Sequence, residues 1–264
     1  MKSANFLTAI DALGGDEVPR VWSLIITVFG DLAQQKGEEI AGPVLGELLA
    51  PVGVRPEAMR VALHRLRNEG WIETSKQGRT ARHALSIFGL EQSAAASEQI
   101  YGKALVADPE WHILCFASNT TSSEQTRGKT LAQRGYVKAT NGIYIKNSAC
   151  DDLVDDALIL QGDVKNIPPW LSGSLAPNPL RAGFKQLSKT LSDLSIDPIF
   201  ARELTALQTA TLRTLIVHRW RKLVLKLPLV PDALFGDGFE GTQCRNQILS
   251  ILTLLERPNI SDLT

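Results

Sequence analysis

Between Arg55 and His83 the chain carries seven basic side chains, Arg55, Arg60, Arg65, Arg67, Lys76, Arg79 and Arg82, against three acids, Glu57, Glu69 and Glu73. Over the whole sequence 28 basic residues balance 28 acidic ones, so this local excess leaves the remainder of the chain acidic. Concentrated positive charge of this kind is suited to a polyanion. Guanidinium groups can engage phosphate or the edge of guanine through two nitrogens at once, and His64 stands among them as a further donor. The competing reading is a charged helix face that is merely solvated. What separates the two is how the local elements would present these side chains.

Pro56 fits the first position of a helix, Glu57 favours the positive end of its dipole, and Gly70 supplies a left-handed stop. The sequence therefore predicts a helix from about Pro56 to Glu69. At about 100° per residue, Ala58, Met59, Ala62 and Leu66 gather on one side to face a core, while Arg60, His64 and Arg67 fall opposite. Arg65 sits near the core edge, within reach of a phosphate or an internal carboxylate. Two short extended halves follow around Lys76, Gln77 and Gly78, a hairpin signature that sets Lys76 and Arg79 at the tip and Arg82 on the returning strand. Cations at such a tip suit contact with a nucleic-acid backbone or minor groove.

Upstream, VWSLIITVFGDLA from Val21 to Ala33 is apolar around most of a helix and should be largely buried, and Pro43 to Leu49 forms a second short helix. Asp31 lies near the negative end of the first, an unfavourable place for an acid unless an arginine pairs with it. Helix, helix, turn, helix and hairpin in this order make a winged helix-turn-helix, with helical spacing resuming from Leu90 to Lys103.

WHILCFA then begins a block of alternating elements. A strand, a helix ending at Arg134-Gly135, YVKAT and GIYIK joined by Asn141-Gly142, an acidic helical stretch from Cys150 to Asp156, and ALILQGDV give the ferredoxin-like order β-α-β-β-α-β. After a Pro- and Ser-rich loop, Leu180 to Leu255 reads as helical. The expected fold class is α+β, with a winged helix-turn-helix domain over 1–105, a ferredoxin-like domain over 106–172 and an all-helical domain over 173–264.

The last region holds a second basic cluster: His218, Arg219, Arg221 and Lys222 around Trp220, followed by Lys226. Guanidinium groups there could hold the phosphates of a nucleotide-like ligand with the indole stacked on a base; the plainer reading is an amphipathic helix whose Trp220 packs inside. His112 and Cys115 are no metal pair, because strand residues three apart point to opposite faces. Cys150 and Cys244 have no near partner and read as small buried thiols. No nucleophile with a base, paired acids or phosphate-cradling loop emerges, and Gly14-Gly15 and Gly236 to Gly238 lack the strand-to-helix context such a loop needs. The expectation is a non-enzyme without cofactor or metal.

With 264 residues and 44% hydrophobic content there is ample material for a core, and low-complexity disorder is excluded. Three cysteines, an odd number, argue against a disulfide scaffold and for a reducing cytoplasm. The N-terminus is broken by Asp11, Gly14, Gly15 and Asp16 before a secretory core can develop, and no apolar run reaches membrane-spanning length.

The stretches SLIITVFGDL, GEEI through LLAPVGV, and AMRVALHRLRNEGWIE resemble the PaaX family of phenylacetic-acid-catabolism repressors, most strongly from Ser23 to Glu73. WHILCF, QRGY and GIYI resemble that family's central domain, itself related to small CRISPR-associated nucleases, and LIVHRWRKLVLKLPLVPDAL resembles its closing helical domain. The resemblance implies a homodimeric bacterial repressor on palindromic operator DNA, released by an aryl-acyl-CoA effector, typically phenylacetyl-CoA. By position, Arg60 and Arg65 match basic residues of the family's recognition helix and Arg79 a basic wing residue, while Arg55 replaces a more usual polar cap.

The chain also departs from the family. Phe116-Ala117-Ser118-Asn119 lacks an acidic residue that many relatives carry at the end of that strand, which removes a carboxylate a metal-dependent nuclease would use. Arg219 follows His218 where an acid is common, and the segment after Leu227 lacks a typical acid, so a changed inducer, or a regulator of another pathway, fits. The alternatives to a repressor are a residual metal-dependent nuclease and a protein-interaction module without specific DNA binding.

Overall fold

A computed structural model describes residues 6–14, 19–105, 107–108, 110–117, 121–148 and 154–263. In chain order its elements are α1 (Phe6–Gly14), α2 (Val21–Leu32), β1 (Ile40–Ala41), α3 (Gly42–Leu49), α4 (Pro56–Asn68), β2 (Ile72–Gln77), β3 (Thr80–Leu85), α5 (Ile87–Tyr101), β4 (Trp111–Phe116), α6 (Thr121–Gln133), β5 (Val137–Thr140), β6 (Ile143–Asn147), β7 (Ala157–Gly162), α7 (Pro169–Leu175), α8 (Asn178–Leu194), α9 (Pro198–Glu203), α10 (Ala206–Val224) and α11 (Glu240–Leu254). Short 3-10 turns occupy Ala50–Val52, Asp232–Phe235 and Ile260–Leu263. The architecture is α+β, with two small antiparallel sheets among helices. Among the described residues no helix is long and apolar enough to cross a membrane.

These elements form two compact units that interleave along the chain: residues 1–102, 186–225 and 244–264 in one, 103–185 and 226–243 in the other. The division differs from three consecutive domains. The expected C-terminal helical block of 173–264 is split, and most of it completes the first unit. Helix α10 explains this. Every residue from Ala210 to His218 is buried, so the helix has no solvent face over its middle and needs neighbours on all sides. It finds them in α1, α2, α3 and α5.

Within the first unit, α2 buries Leu24 to Phe29 together with Asp31 and Leu32 and packs on both α4 and α10. The breaks after α3 and α4 use glycine where the backbone turns left-handed, Gly53 at φ 79° and Gly70 at φ 76°. The hairpin aligns Ile72 with Leu85 and Gln77 with Thr80 across a turn at Gly78 and Arg79. Helix α1 and the two-residue β1, which pairs Ile40 with His83 and Ala41 with Arg82, have no counterpart in the sequence reading. Trp71 joins the parts: its N–H donates to Leu66 O at 2.9 Å and its carbonyl accepts from Ser86 N at 3.0 Å.

The second unit is built on a four-stranded antiparallel sheet in the order β5-β6-β4-β7. Leu114 and Tyr144 on one sheet face form a core with Leu131 of α6 and Tyr136, flanked by Phe116, Val154, Ala157 and Ile159. The Asn141-Gly142 turn is present, and Gly142 has φ 72°. The helix expected at 150–156 is not seen where it can be checked, since 154–156 are non-helical; 149–153, Cys150 included, lie outside the described residues, as do Gly15, Ser118 and Asn119. Arg181 closes the lower part, donating to the carbonyls of Ala176 at 2.8 Å, Ser172 at 3.2 Å and Phe235 at 2.6 Å.

Candidate nucleic-acid interface

Helix α4 starts on Arg55, whose extended backbone sits at the N-cap without a side-chain cap bond, followed by Pro56 and by Glu57 in the first turn. Arg65 and Arg67 fall in the last turn, where cations complement the dipole. Ala62, Leu63 and Leu66 are the buried face. Ala58, expected there, is exposed, and Leu63 takes its place because the buried stripe is turned toward the α2 side.

Arg60 stands out into solvent, 70% exposed, with only an equally exposed Glu57 at 3.1 Å. An ion pair of this kind is worth at most about 1 kcal/mol, so a phosphate or base edge can take the guanidinium from Glu57 at little expense. The Asn68 amide donates to His64 Nδ1 at 3.3 Å on the same exposed side. Arg65 is held more closely: Nε donates to Glu69 Oε1 at 2.7 Å and the guanidinium lies 4.8 Å from the Trp22 ring centroid. Arg67 is exposed near buried His83, whose imidazole is held below its ordinary value by burial first and by the Arg67 charge second.

On the hairpin Lys76 and Arg79 are exposed, and Gly78 at φ 62° turns the chain between them. Arg82 is half-buried on the central strand between Ser75 and Ala41, and its Nε donates to Gln77 Oε1 at 2.6 Å. The exposed cations Arg55, Arg60, Arg65, Arg67, Lys76 and Arg79 thus all lie on α4, at its N-cap or on the hairpin that follows it. Val61, 70% exposed between Arg60 and His64, was missed by sequence reasoning. Its signal was available: a valine at the centre of the polar arc of the helical wheel.

The second cluster does not form one surface. Trp220 is fully buried, donating its indole N–H to Ile100 O at 2.8 Å, and so cannot stack on a ligand base. His218 is also buried, with Nδ1 3.0 Å from Thr27 Oγ1, and burial aided by the charges of Arg221 and Lys222 lowers its pKa to about 4. Arg219 donates to Ala12 O at 3.1 Å, Arg221 donates to Thr27 Oγ1 at 3.1 Å, and Lys222 is exposed. These residues fan out around α10 because successive positions on a helix point in different directions.

Asp31 has the arginine expected for it. Arg213 reaches it from 182 residues away through two hydrogen bonds, and the Tyr101 hydroxyl donates to the same carboxylate at 2.9 Å. His112 points into the second unit's core beside Tyr136 and Gln161, while Cys115 lies on the other sheet face. Cys244 is buried, which pushes its thiol up to about 12. Among the described residues no group of three or more His, Cys, Asp or Glu is placed to hold a metal ion.

The sequence pattern of the PaaX-like protein family matches residues 20–88, spanning α2 through the hairpin, and that of the PaaX-like protein C-terminal domain matches residues 178–258. Transcriptional repressor PaaX of Escherichia coli (strain K12) is 26% identical over 247 residues, covering 87% of this chain and 78% of that protein. The solved structure of uncharacterized protein Rv0674 from Mycobacterium tuberculosis superposes with a TM-score of 0.56 at 16% identity, over 90% of this chain and 96% of that one, a likeness of fold. With both family patterns present in sequence order, the chain belongs to the PaaX-like family.

Proposed function

We propose that the chain is a cytoplasmic transcriptional repressor that binds duplex DNA through α4 and the β2–β3 hairpin. The observation that carries this reading is the exposed set of Arg60, His64, Lys76 and Arg79 on two consecutive elements of one body. We read residues 20–88 as a winged helix-turn-helix in which α3 and α4 are the helix pair, α4 enters the major groove and the hairpin is the wing. Arg60 and His64 would face base edges, Val61 a thymine methyl, and Arg55, Lys76 and Arg79 phosphates. Arg65, tied to Glu69 and Trp22, would position the helix on a phosphate rather than read a base. Arg67 and Arg82 add to the positive field from the flanks.

In the second unit β4, β5, β6 and β7, taken as first to fourth strand, lie in the order 2-3-1-4, which supports a ferredoxin-like reading of this sheet. The name of the Escherichia coli relative supports repression. The working form is a homodimer whose two recognition helices sit about 34 Å apart in successive major grooves. An acyl-CoA effector that favours another spacing would release it by shifting populations. The test is fluorescence anisotropy on DNA from upstream of the protein's own gene, over a salt series, with and without phenylacetyl-CoA. Tight binding that weakens with salt is the expected result; its absence would move the interaction-module reading ahead.

A further inference from the structure

Between α2, α5 and α10 in the first unit lies a cavity of about 210 Å³ that the proposed DNA interface does not use. Its walls are largely apolar, with Ile26, Gly30, Ala96, Val217 and Leu225 around it and Trp71 at one side. Of the polar groups on the wall, the Ser97 hydroxyl is already engaged: it donates to Ser93 O at 2.9 Å and accepts from Gln34 Nε2 at 2.7 Å. The Tyr101 hydroxyl is turned to Asp31.

Arg221 is the exception. Arg221 lines the cavity, and the hydrogen bonds of its guanidinium run from Nη1 alone, to Thr27 Oγ1 at 3.1 Å and Ser23 O at 3.5 Å, both neutral acceptors. The described residues give it no carboxylate, so a half-buried cation borders an apolar space with Nε and Nη2 able to donate. A guanidinium so placed is matched to one carboxylate, bound through two parallel N–H donors. An apolar cavity of ~150 Å³ already accommodates benzene, so this one holds a single ring or short alkyl chain with an acid arm, and a whole nucleotide is too large.

We propose that this cavity is an effector site for a small apolar monocarboxylate, with Arg221 as its anchor, separate from any acyl-CoA site. Its position gives it a route to the DNA-binding elements, because Trp71 is hydrogen-bonded both to the C-terminal turn of α4 at Leu66 and to the β3–α5 junction at Ser86. The binding claim stands on the cavity; the regulatory claim rests on the repressor reading above.

The experiment is isothermal titration calorimetry of the full chain with benzoate, 3-phenylpropionate and hexanoate, with benzamide as the uncharged control. At least one acid should bind, and benzamide at least about tenfold more weakly than benzoate, given what a charge-assisted hydrogen bond is worth. Arg221→Gln should weaken the acid about tenfold or more, and the cavity-filling Ala96→Leu should block it without touching the guanidinium. Circular dichroism shows that each variant is folded. No acid binding, or binding unchanged in both folded variants, overturns the site. Anisotropy on upstream DNA, run in parallel, separates the claims: binding of an acid with no change in DNA affinity overturns the coupling, whereas failure to bind DNA at all sinks the repressor reading and leaves calorimetry to decide the site.

Discussion

Arg213 holds Asp31 in a two-pronged ion pair, Nε to Oδ2 at 3.0 Å and Nη2 to Oδ1 at 2.8 Å, with the acid fully buried and the arginine 5% exposed. The remaining nitrogen donates to the carbonyls of Leu252, at 3.1 Å, and Leu255. One guanidinium therefore ties α2 to α10 and to the end of α11, and Tyr101 brings in α5.

Asp31→Ala should cost about 3–5 kcal/mol, because it leaves the Arg213 charge uncompensated in the interior, and Arg213→Ala somewhat less, because Arg257 Nη2 still lies 3.9 Å from Asp31 Oδ1. Replacing both with apolar residues of similar volume should cost clearly less than the sum of the single losses. Urea unfolding midpoints of the single and double variants measure this, and a single loss below about 1 kcal/mol would mean that water reaches the pair.

Stability should also depend on pH through His218. Its folded pKa of about 4 lies below the ordinary 6.5, held there by burial and by the neighbouring Arg221 and Lys222. Between those two values the unfolded chain takes up a proton that the folded chain refuses, so stability is full above pH 6.5 and falls as the pH drops toward 4. The loss is about 3 kcal/mol. His218→Gln should flatten most of this slope in urea titrations run at successive pH values, leaving the shallower part from His83, whose pKa is lowered in the same sense.

Arg60→Ala should weaken operator binding by about 1–3 kcal/mol and relax preference at one base position, with thermal unfolding unchanged. Arg79→Ala should weaken all sequences alike and reduce the salt slope by about one. Anisotropy on operator and scrambled duplexes distinguishes these patterns; unchanged affinity in both variants would remove α4 and the hairpin as the interface.

Gly89 is a packing position. A Cβ there would sit 2.2 Å from the Trp71 carbonyl oxygen and 3.1 Å from Leu85 Cδ2, so Gly89→Ala must displace backbone at the joint of α4, hairpin and α5. The expected cost is about 1–3 kcal/mol. Because the same joint sets the hairpin beside α4, DNA affinity should fall together with the melting temperature, which scanning calorimetry and anisotropy on one preparation can compare.

The local rules were readable where the determinants are neighbours in sequence. Pro56, Gly70 and Gly78 delimit α4 and the β2–β3 hairpin, Asn141-Gly142 marks the turn between β5 and β6, and the apolar circumference of α2 declares its burial. Asp31 announced a missing arginine by its place at the wrong end of a helix, but not which arginine. Arg213 was hidden because its pairing is 182 residues distant, and nothing in the local spacing of α10 distinguishes a cation bound for the core from one bound for solvent. The same ambiguity made His218 and Trp220 look like ligand groups. Strand β1 escaped because two residues carry no alternation, and α1 because its short apolar run is weighed only as a secretory segment, which Asp11 and Gly14 interrupt.

The interleaved chain has a consequence in time. On a ribosome the segment containing α2 and α4 is complete about 140 residues before α10 begins, a delay of roughly 7–28 s at typical synthesis rates. During that interval Asp31 has no arginine and the apolar sides of α2 have no central helix to cover them. Helix α4 and its hairpin are thus made early and secured late, so a nascent or truncated chain that ends before α10 would hold both without the post on which they are mounted.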